Sequence, residues 1–262
     1  MNKLALGTVQ FGLDYGISNI GGQVSLEEAR KVLKLAKEYD IDTLDTASGY
    51  GNSEKVLGKI GVNDFQIVTK TTSLQLGVDN VLQSFYQSLT DLNATSVYGL
   101  LIHNIDDTKD KQFDALYKEL DKLKQDKLIN KIGFSTYTPD QVDFLLDNFD
   151  FDLIQVPFNV FDTRLIDGGQ LQILRNKQIE IHARSVFLQG LLLNFKQLGS
   201  YFSKWIVQFN NYQEIVNDSE LSLLEYALSF VLNTKEIDVT LVGVSNSSQL
   251  TEIIKASNLN LD

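Results

Sequence analysis

Short β-like runs alternate with amphipathic helical segments along the whole chain, and this alternation limits the possible folds more than any other feature. Eight segments have the apolar, β-branched character of buried strands: 3–8, 41–46, 65–70, 98–103, 130–135, 152–158, 179–185 and 239–244. Segments with the apolar spacing of helices lie between and after them: 26–39, 53–60, 77–92, 111–126, 139–148, 165–176, 219–233 and 247–256. Strands that alternate with helices predict a parallel sheet.

Two arrangements of such a sheet suit a chain of 262 residues. Right-handed crossovers and this length favour a closed (β/α)8 TIM barrel, and an open doubly wound sheet is the alternative. The glycine fingerprint GxGxxG, typical of open dinucleotide-binding sheets, is missing after the first predicted strand, where the chain reads GTVQFGLDYG. No linker or low-complexity tract divides the sequence. We therefore predict an α/β protein with one (β/α)8 TIM barrel domain over residues 1–262.

The composition argues against several classes of partner. The net charge is −11, from 34 acidic and 23 basic residues, and no basic patch interrupts it, so we expect no nucleic acid. No apolar run approaches the roughly 20 residues of a membrane span, and the first residues lack the features of a signal peptide. Cysteine is absent and histidine occurs twice, which is a poor ligand set for a metal-dependent barrel hydrolase. We predict a cytoplasmic protein that uses neither membrane nor metal.

Polar side chains recur where the predicted strands end. In a parallel barrel the chemistry gathers at the carboxyl ends of the strands, so this position alone selects candidates. The candidates are Thr8, Asp45, Lys70, His103, Ser135, Gln155, Arg184 and Ser245, with Tyr50 in the short loop after the second strand.

Four of these candidates form a set suited to proton transfer. Lys70 would be partly desolvated at a barrel mouth and would need a counter-charge, for which Asp45 on the preceding strand is the available partner. A cation beside Tyr50 would lower the pKa of its phenol and make it a better proton donor, and His103 would polarise the same oxygen. Each residue alone has an ordinary structural interpretation; their joint occurrence on consecutive strands indicates an active site.

Three motifs resemble the aldo/keto reductase family. They are DTASGYGNSE at 45–54, TK at 69–70 and LLIHN at 100–104, in the order that the family has them. The resemblance implies a carbonyl reductase that takes hydride from a nicotinamide cofactor and acts on an aldehyde or ketone, including sugar-like ones. Tyr50 would be the general acid/base, Asp45 and Lys70 its tuning ion pair, and His103 a ligand of the carbonyl. The alternative is a regulatory subunit that binds the cofactor with little or no catalysis.

The same resemblance implies a cofactor site along the strand ends. Its predicted residues are Gly7, Thr8, Asp45, Ser135, Gln155, Arg184, Ser185, Phe187, Gln189, Gly190, Gly243, Val244, Ser245 and Gln249. Arg184 in ARSVFLQGLL replaces an aromatic residue of the family; it would lie inside the site and stack on the nicotinamide, reach the cofactor diphosphate or bind an anionic substrate. The basic residues that hold the 2′-phosphate of NADP are missing near Ser245 and Gln249. We expect NADP, with NAD as the alternative.

An aromatic-rich segment, 193–217, separates the seventh strand from the next helix. It predicts either an extra helix packed on the barrel or a lid over the site. Four further aromatic residues follow strands 1 and 6 and are candidates for the pocket wall: Phe11, Tyr15, Phe158 and Phe161.

Overall fold

Eight parallel strands close into a barrel in the computed structural model, which describes residues 2–17, 19, 21–195 and 199–258. The strands pair in chain order, and the last pairs with the first. Their bounds are β1 Leu4–Gly7, β2 Thr43–Asp45, β3 Gln66–Lys70, β4 Val97–Ile102, β5 Ile129–Ser135, β6 Leu153–Pro157, β7 Glu180–Arg184 and β8 Val239–Gly243. The predicted (β/α)8 TIM barrel is confirmed, and the open sheet is excluded because β1 and β8 pair through four residues each.

Helices connect the strands. They are α1 Val9–Gly12, α2 Leu26–Glu38, α3 Ser53–Ile60, α4 Val78–Leu92, α5 Phe113–Gln125, α6 Pro139–Asn148, α7 Arg164–Asp167, α8 Gln170–Asn176, α9 Ile206–Asp218, α10 Leu223–Leu232 and α11 Ser247–Ser257. Short 3₁₀ turns occur at Leu74–Leu76, Ile105–Lys109, Leu188–Gly190 and Ser200–Trp205. None of the described helices is long and apolar enough to span a membrane.

Three helical segments differ from the sequence prediction. The segment 165–176 is two helices, since the chain turns at Gly168 and Gly169, and Gly169 has a φ of 80°. The helix predicted from 219 starts at Leu223, where Ser222 and Glu225 form a reciprocal capping box. The short helix α1 was not predicted, because four residues show no helical periodicity.

The segment between β7 and α10 contains the extra helix rather than a continuous loop. In α9 the side chains of Phe209, Tyr212 and Val216 are buried, and the ring of Phe195 stacks on Phe209 with centroids 5.1 Å apart. Aromatic packing of this kind fixes the helix to its neighbours. Residues 196–198 of the predicted segment lie outside the described residues.

Side chains inside the barrel lie in layers, because strand register places every second residue on the inner face. Val68, Leu101 and Leu153 form a fully buried apolar layer. At the amino-terminal end of the barrel, Glu180 binds the side chains of Lys131, His182 and Tyr98. The opposite, carboxyl-terminal end carries Asp45, Lys70 and Gln155, and the strand register aligns Gly7 with Asp45 and Ser135 with Gln155 there.

Candidate active site

A cavity of about 690 Å³ opens at the carboxyl ends of the strands. Most of its wall comes from strand ends and from the loops that follow them. Seven residues predicted from strand-end position line it: Asp45, Lys70, His103, Ser135, Gln155, Arg184 and Ser245; Tyr50 lines it from its loop. The sequence-predicted set therefore converges on one space.

Lys70 and Asp45 form a buried ion pair on the floor of this cavity. The Lys70 ammonium lies 2.7 and 2.6 Å from the two carboxylate oxygens of Asp45 and donates a third hydrogen bond to the Thr46 carbonyl at 2.9 Å. Gln155 donates from Nε2 to Asp45 at 2.8 Å. Both charges are almost completely buried, with side-chain exposures of 1% for Lys70 and 6% for Asp45. Because all three ammonium protons have acceptors, the Lys70 position is strongly constrained.

Burial alone would lower the pKa of Lys70. The Asp45 carboxylate and the nearby Tyr50 phenol outweigh this, and the net effect is to raise the pKa of Lys70 above its ordinary value. The ammonium is therefore charged throughout the physiological range.

The loop that carries Tyr50 packs directly against α1. A side-chain carbon on Gly12 would meet the Tyr50 carbonyl oxygen at 1.8 Å, and one on Gly51 would meet the Gly12 carbonyl oxygen at 2.4 Å. Gly51 also has a φ of 58°, which favours glycine. Beneath the loop, the buried hydroxyls of Thr8 and Ser53 lie 2.9 Å apart. The glycines of the Tyr50 segment thus allow a close backbone contact that holds the phenol over the cavity.

Tyr50 is near both the cation and His103. The Lys70 ammonium lies 5.0 Å from the centroid of the Tyr50 ring, and the Tyr50 and His103 rings meet edge to face with centroids 6.1 Å apart. Burial of the phenol raises the pKa of Tyr50, and the Lys70 charge only partly offsets this. The expectation of a lowered pKa was wrong: sequence shows the neighbouring cation but not the extent of desolvation.

His103 is neutral in this environment. Burial and the positive charge of Lys70 lower its pKa to about 4, with a smaller contribution from Arg184. Its backbone N–H donates to the Thr71 hydroxyl at 3.3 Å, just beyond the end of β4. A neutral imidazole can donate a hydrogen bond to a substrate oxygen without adding a charge beside Lys70.

Arg184 lies in the cavity wall, as the sequence prediction had it, and its position is fixed by several contacts. Its guanidinium carbon lies 4.3 Å from the centroid of the Tyr137 ring, and Nη2 donates to the Thr136 carbonyl at 2.9 Å. Nη1 lies 3.2 Å from the hydroxyl of Ser185. The strand parity that points His182 inward therefore continues to Arg184 without a bulge.

The backbone after β7 adopts unfavourable conformations beside the cavity. Ser185, Leu188 and Gln189 have φ values of 60°, 46° and 56°. Buried Asn159 donates to the Ser185 carbonyl at 3.1 Å and so holds the first of these turns. Strained backbone that neighbouring groups stabilise is typical of ligand sites.

The far end of the cavity lies at the start of α11. Asn246 caps this helix by accepting from the Gln249 N–H at 2.9 Å, and the Gln249 side chain accepts from the Ser245 N–H at 2.8 Å. The N–H and hydroxyl of Ser247 both donate to Glu28, each at 2.7 Å. These two hydrogen bonds, one from backbone and one from the hydroxyl, lower the pKa of Glu28, so a carboxylate lies at the first turn of α11.

The remaining predicted cofactor residues divide into two groups. Gly7, Phe187, Gln189, Gly190, Gly243 and Gln249 line the cavity, as do Ser185 and Ser245. Thr8 and Val244 are buried behind the wall and do not line it. Of the four aromatic candidates for the wall, Tyr15 lines the cavity and Phe11, Phe158 and Phe161 do not. Of the predicted segment, Leu193 lines the cavity, whereas no described residue between 199 and 218 does.

Sequence reasoning missed several lining residues. Asn19 and Tyr137 come from loops, and Gln10, Leu224 and Glu252 come from helices. For most of these no signal marks the position, because only the closed barrel shows which loop residues turn toward the cavity. Tyr137 is the exception, since it follows Ser135 by two residues in the fifth strand's loop.

Comparison with known proteins identifies the family of the chain. The model of the aldo/keto reductase family matches residues 3–262. The chain is 27% identical to the uncharacterized oxidoreductase YqkF of Bacillus subtilis, covering 98% of this chain and 92% of that one. It is 26% identical to the L-galactose dehydrogenase of Arabidopsis thaliana, covering 97% and 85%.

Solved structures have the same fold at low sequence identity. The glycerol dehydrogenase of Gluconobacter oxydans superposes with a TM-score of 0.77 at 21% identity, covering 100% of this chain and 88% of that one. An aldo-keto reductase of Bacillus halodurans has a TM-score of 0.77 at 18% identity, covering 98% and 87%. Since the family model spans nearly the whole chain, the protein belongs to the aldo/keto reductase family and is an oxidoreductase of that family.

Proposed function

We propose that this protein reduces a small aldehyde or ketone with hydride from a nicotinamide cofactor, and that Tyr50 supplies the proton. The observation that carries the proposal is the convergence of Tyr50, His103 and the buried Asp45–Lys70 pair on one cavity. A phenol, a neutral imidazole and a fixed cation are the groups needed to protonate a developing alkoxide and to stabilise the resulting charge.

Each residue has a distinct part in the reaction. The substrate carbonyl oxygen accepts hydrogen bonds from the Tyr50 hydroxyl and from His103, which orient it. When bound, the reduced nicotinamide supplies hydride to the carbonyl carbon. Tyr50 then gives its proton to the oxygen, and Lys70 stabilises the phenolate left behind. Asp45 and Gln155 keep the Lys70 ammonium in place during this change of charge.

The cavity fits a dinucleotide cofactor. Its volume of about 690 Å³ lies within the range of roughly 300–1,000 Å³ for cofactor pockets. The buried Oε1 of Gln10 has no hydrogen-bond partner in the described structure. The Gln10 side chain lies against Gly243, so that a side-chain carbon added to Gly243 would lie 2.7 Å from Gln10. We propose that Ser135 and Gln155 hold the nicotinamide end and that Gly243 to Gln249 hold the other end.

The preference for NADP over NAD should be weak. Among the described lining residues the only cations are Lys70 and Arg184, and neither comes from β8 or α11. A 2′-phosphate at the start of α11 would find the Glu28 carboxylate on the Ser247 N–H. We therefore expect kcat/KM for NADPH and NADH to differ by less than about tenfold, and Ser245→Arg to shift the ratio toward NADPH by about tenfold. A strong preference for NADPH in the unaltered protein would contradict this account.

The central test is oxidation of NADPH or NADH, followed at 340 nm, with a panel of aldehydes and ketones. Tyr50→Phe should lower kcat by at least about 10²-fold, because it removes the donated proton and keeps the ring. Tyr39→Phe removes a hydroxyl from an exposed tyrosine and is the matched control. Turnover that persists in Tyr50→Phe, or its absence from the unaltered protein, would refute the proposal. The relative named L-galactose dehydrogenase supports including sugars in the panel.

A further inference from the structure

We propose that the substrate carries an anionic group in addition to its carbonyl, and that Arg184 binds this group. The inference rests on the proposed function and specifies its substrate class: a carbonyl compound with a carboxylate or phosphate. Among the described residues the Arg184 charge has no carboxylate partner, and its guanidinium has a fixed orientation in the reaction cavity.

Charge is the first observation. The Lys70 charge is neutralised by Asp45 at 2.6 Å, whereas none of the described ion pairs includes Arg184. His103 is neutral at working pH. The catalytic end of the cavity therefore has an excess positive charge, although the whole chain has a net charge of −11. A partly buried, unpaired guanidinium is costly unless a ligand compensates it.

Orientation is the second observation. One face of the guanidinium lies on the Tyr137 ring, and single hydrogen bonds use one proton each of Nη1 and Nη2. The backbone on both sides is also held: the Phe158 N–H donates to the Arg184 carbonyl at 3.0 Å, and Asn159 holds Ser185 in its strained turn. A guanidinium has five donors, so three remain for a ligand in a fixed, planar arrangement. That arrangement suits the paired oxygens of a carboxylate or phosphate.

The position of Arg184 favours the substrate over the cofactor as the ligand. Arg184 ends β7 beside Pro157 of β6, two residues beyond the Gln155 that donates to Asp45, so it lies near the carbonyl end of the cavity. Its charge also contributes to the lowered pKa of His103. Stacking on the nicotinamide would oppose hydride donation, because the ring becomes positively charged as it loses hydride. A substrate anion instead neutralises Arg184 before the reaction. Binding to the cofactor diphosphate would place Arg184 a nucleoside away from the carbonyl.

The test compares pairs of substrates that differ in charge. 4-Carboxybenzaldehyde is paired with its methyl ester, methyl 4-formylbenzoate, and glyceraldehyde 3-phosphate with glyceraldehyde, so that the two pairs distinguish a carboxylate from a phosphate. The readout is the ratio of kcat/KM within a pair, which is insensitive to any general loss of activity. We expect kcat/KM for the anionic substrate to exceed that for its neutral partner by about 10- to 100-fold in at least one pair. Hydrogen bonds to charged groups are stronger than neutral ones by an energy that corresponds to this factor.

Arg184→Gln should bring that ratio to about 1, and Arg184→Lys, which keeps the charge but loses the planar fork, should retain part of it. Arg30→Gln, which removes a charge from an exposed position on α2, should leave the ratio as it is. A ratio near 1 in the unaltered protein, an unchanged ratio in Arg184→Gln, or no retained preference in Arg184→Lys would overturn the inference. If Arg184→Gln weakens cofactor binding and leaves the ratio unchanged, Arg184 binds the cofactor, and this result would also overturn the inference.

A binding experiment separates this inference from the proposed function. Calorimetric titration of 4-carboxybenzaldehyde and its ester, with and without oxidised cofactor, needs no turnover. Tighter binding of the carboxylate that Arg184→Gln abolishes supports the anion site even if no carbonyl is reduced. Turnover of neutral aldehydes without this difference leaves the proposed function intact and refutes the anion site.

Discussion

The structure assigns the Lys70 charge a different effect on Tyr50 from the one that the sequence suggests. The phenol has a raised pKa because burial outweighs the Lys70 charge. Lys70 therefore does not prepare an acidic phenol in the resting protein; its charge acts when the proton has left. The Lys70 ammonium lies 5.0 Å from the centroid of the Tyr50 ring. Its fixed charge therefore stabilises the phenolate most when the negative charge forms.

This arrangement predicts a flat pH profile for carbonyl reduction. His103, with a pKa of about 4, is neutral above that pH, and the phenol with its raised pKa stays protonated. We expect kcat/KM to be constant from about pH 5 to about pH 9, because no participating group of the protein titrates in that interval. Activity should fall below about pH 4, when protonation of His103 adds a second cation near Lys70.

The measurement is kcat/KM against pH with one aldehyde at fixed ionic strength. His103→Gln keeps a hydrogen-bond donor but cannot titrate, so any residual activity should lack the acidic limb. An inflection near the ordinary histidine value of about 6.5 would contradict the environment described for His103.

The sequence predicts which residues form the site better than it predicts the surroundings of each side chain. The positions of Asp45, Lys70 and His103 follow from where the strands end, and the structure brings them together. The direction of the Tyr50 pKa shift did not follow, because desolvation is set by residues from several loops. Gln10, which contributes an unpartnered oxygen to the cavity, lies in a helix of four residues with no periodic pattern.

Among the secondary-structure elements, the contact between α1 and the Tyr50 loop controls the geometry of the site. The two backbones approach so closely at Gly12 that a side-chain carbon there would lie 1.8 Å from the Tyr50 carbonyl oxygen and 2.5 Å from the Ser53 nitrogen. Both contacts are with backbone, so they can be relieved only by moving α1 or the loop. A methyl group at Gly12 should therefore lower both the stability of the fold and the catalytic activity.

Gly12→Ala should lower the free energy of unfolding by about 1–3 kcal/mol, as overpacking does, and lower kcat/KM by about 10²-fold through displacement of Tyr50. Thermal or urea unfolding and steady-state kinetics measure the two effects. Gly49→Ala is the matched control, since a side-chain carbon on Gly49 meets nothing within 4 Å in the same loop. Equal behaviour of the two variants would show that the close approach is unimportant.

Elements with long periodic patterns were predictable, and those without them were not. The predicted bounds of α3 and α6 match the structure, because apolar spacing marks both. The break between α7 and α8 depends on the left-handed conformation of Gly169, and α9 depends on aromatic packing against Phe161 and Phe195. Such tertiary contacts stabilise the helix, and sequence alone left a packed helix and a lid both possible.

Over the whole molecule, the barrel interior separates two charged clusters by an apolar layer. The Asp45–Lys70 pair lies at the carboxyl end, Val68, Leu101 and Leu153 lie between, and Glu180 with Lys131 and His182 lies at the amino end. Only the first cluster faces the cavity. In TIM barrels the amino-terminal face serves stability, so we assign that role to the Glu180 cluster.

The Glu180 cluster predicts how stability depends on pH. Burial would raise the pKa of Glu180, but its hydrogen bonds to His182, Lys131 and Tyr98 prevail and lower it to about 2. A carboxyl whose folded pKa lies below its unfolded value stabilises the fold at pH values above the unfolded value, about 4.5. This stabilisation is lost as pH falls from about 4.5 toward 2, and it amounts to at most about 3 kcal/mol.

The experiment compares urea unfolding of the unaltered protein and Glu180→Gln between pH 7 and pH 3. The difference in free energy of unfolding should be largest at pH 7 and shrink as the pH falls below about 4.5. Glu214→Gln, on the exposed face of α9, should show no such trend. A difference that stays constant with pH would mean that Glu180 contributes through packing alone.

The same unfolding curves test the prediction that residues 1–262 form one domain. Fluorescence of the single tryptophan, Trp205, reports the segment before α9, and circular dichroism reports all helices. Because the barrel closes only when β1 pairs with β8, the two signals should change together in one transition. Loss of Glu180 should move both midpoints equally, since the cluster joins β4, β5 and β7 and the barrel unfolds as one unit. Separate transitions would show that the segment around α9 unfolds independently of the barrel.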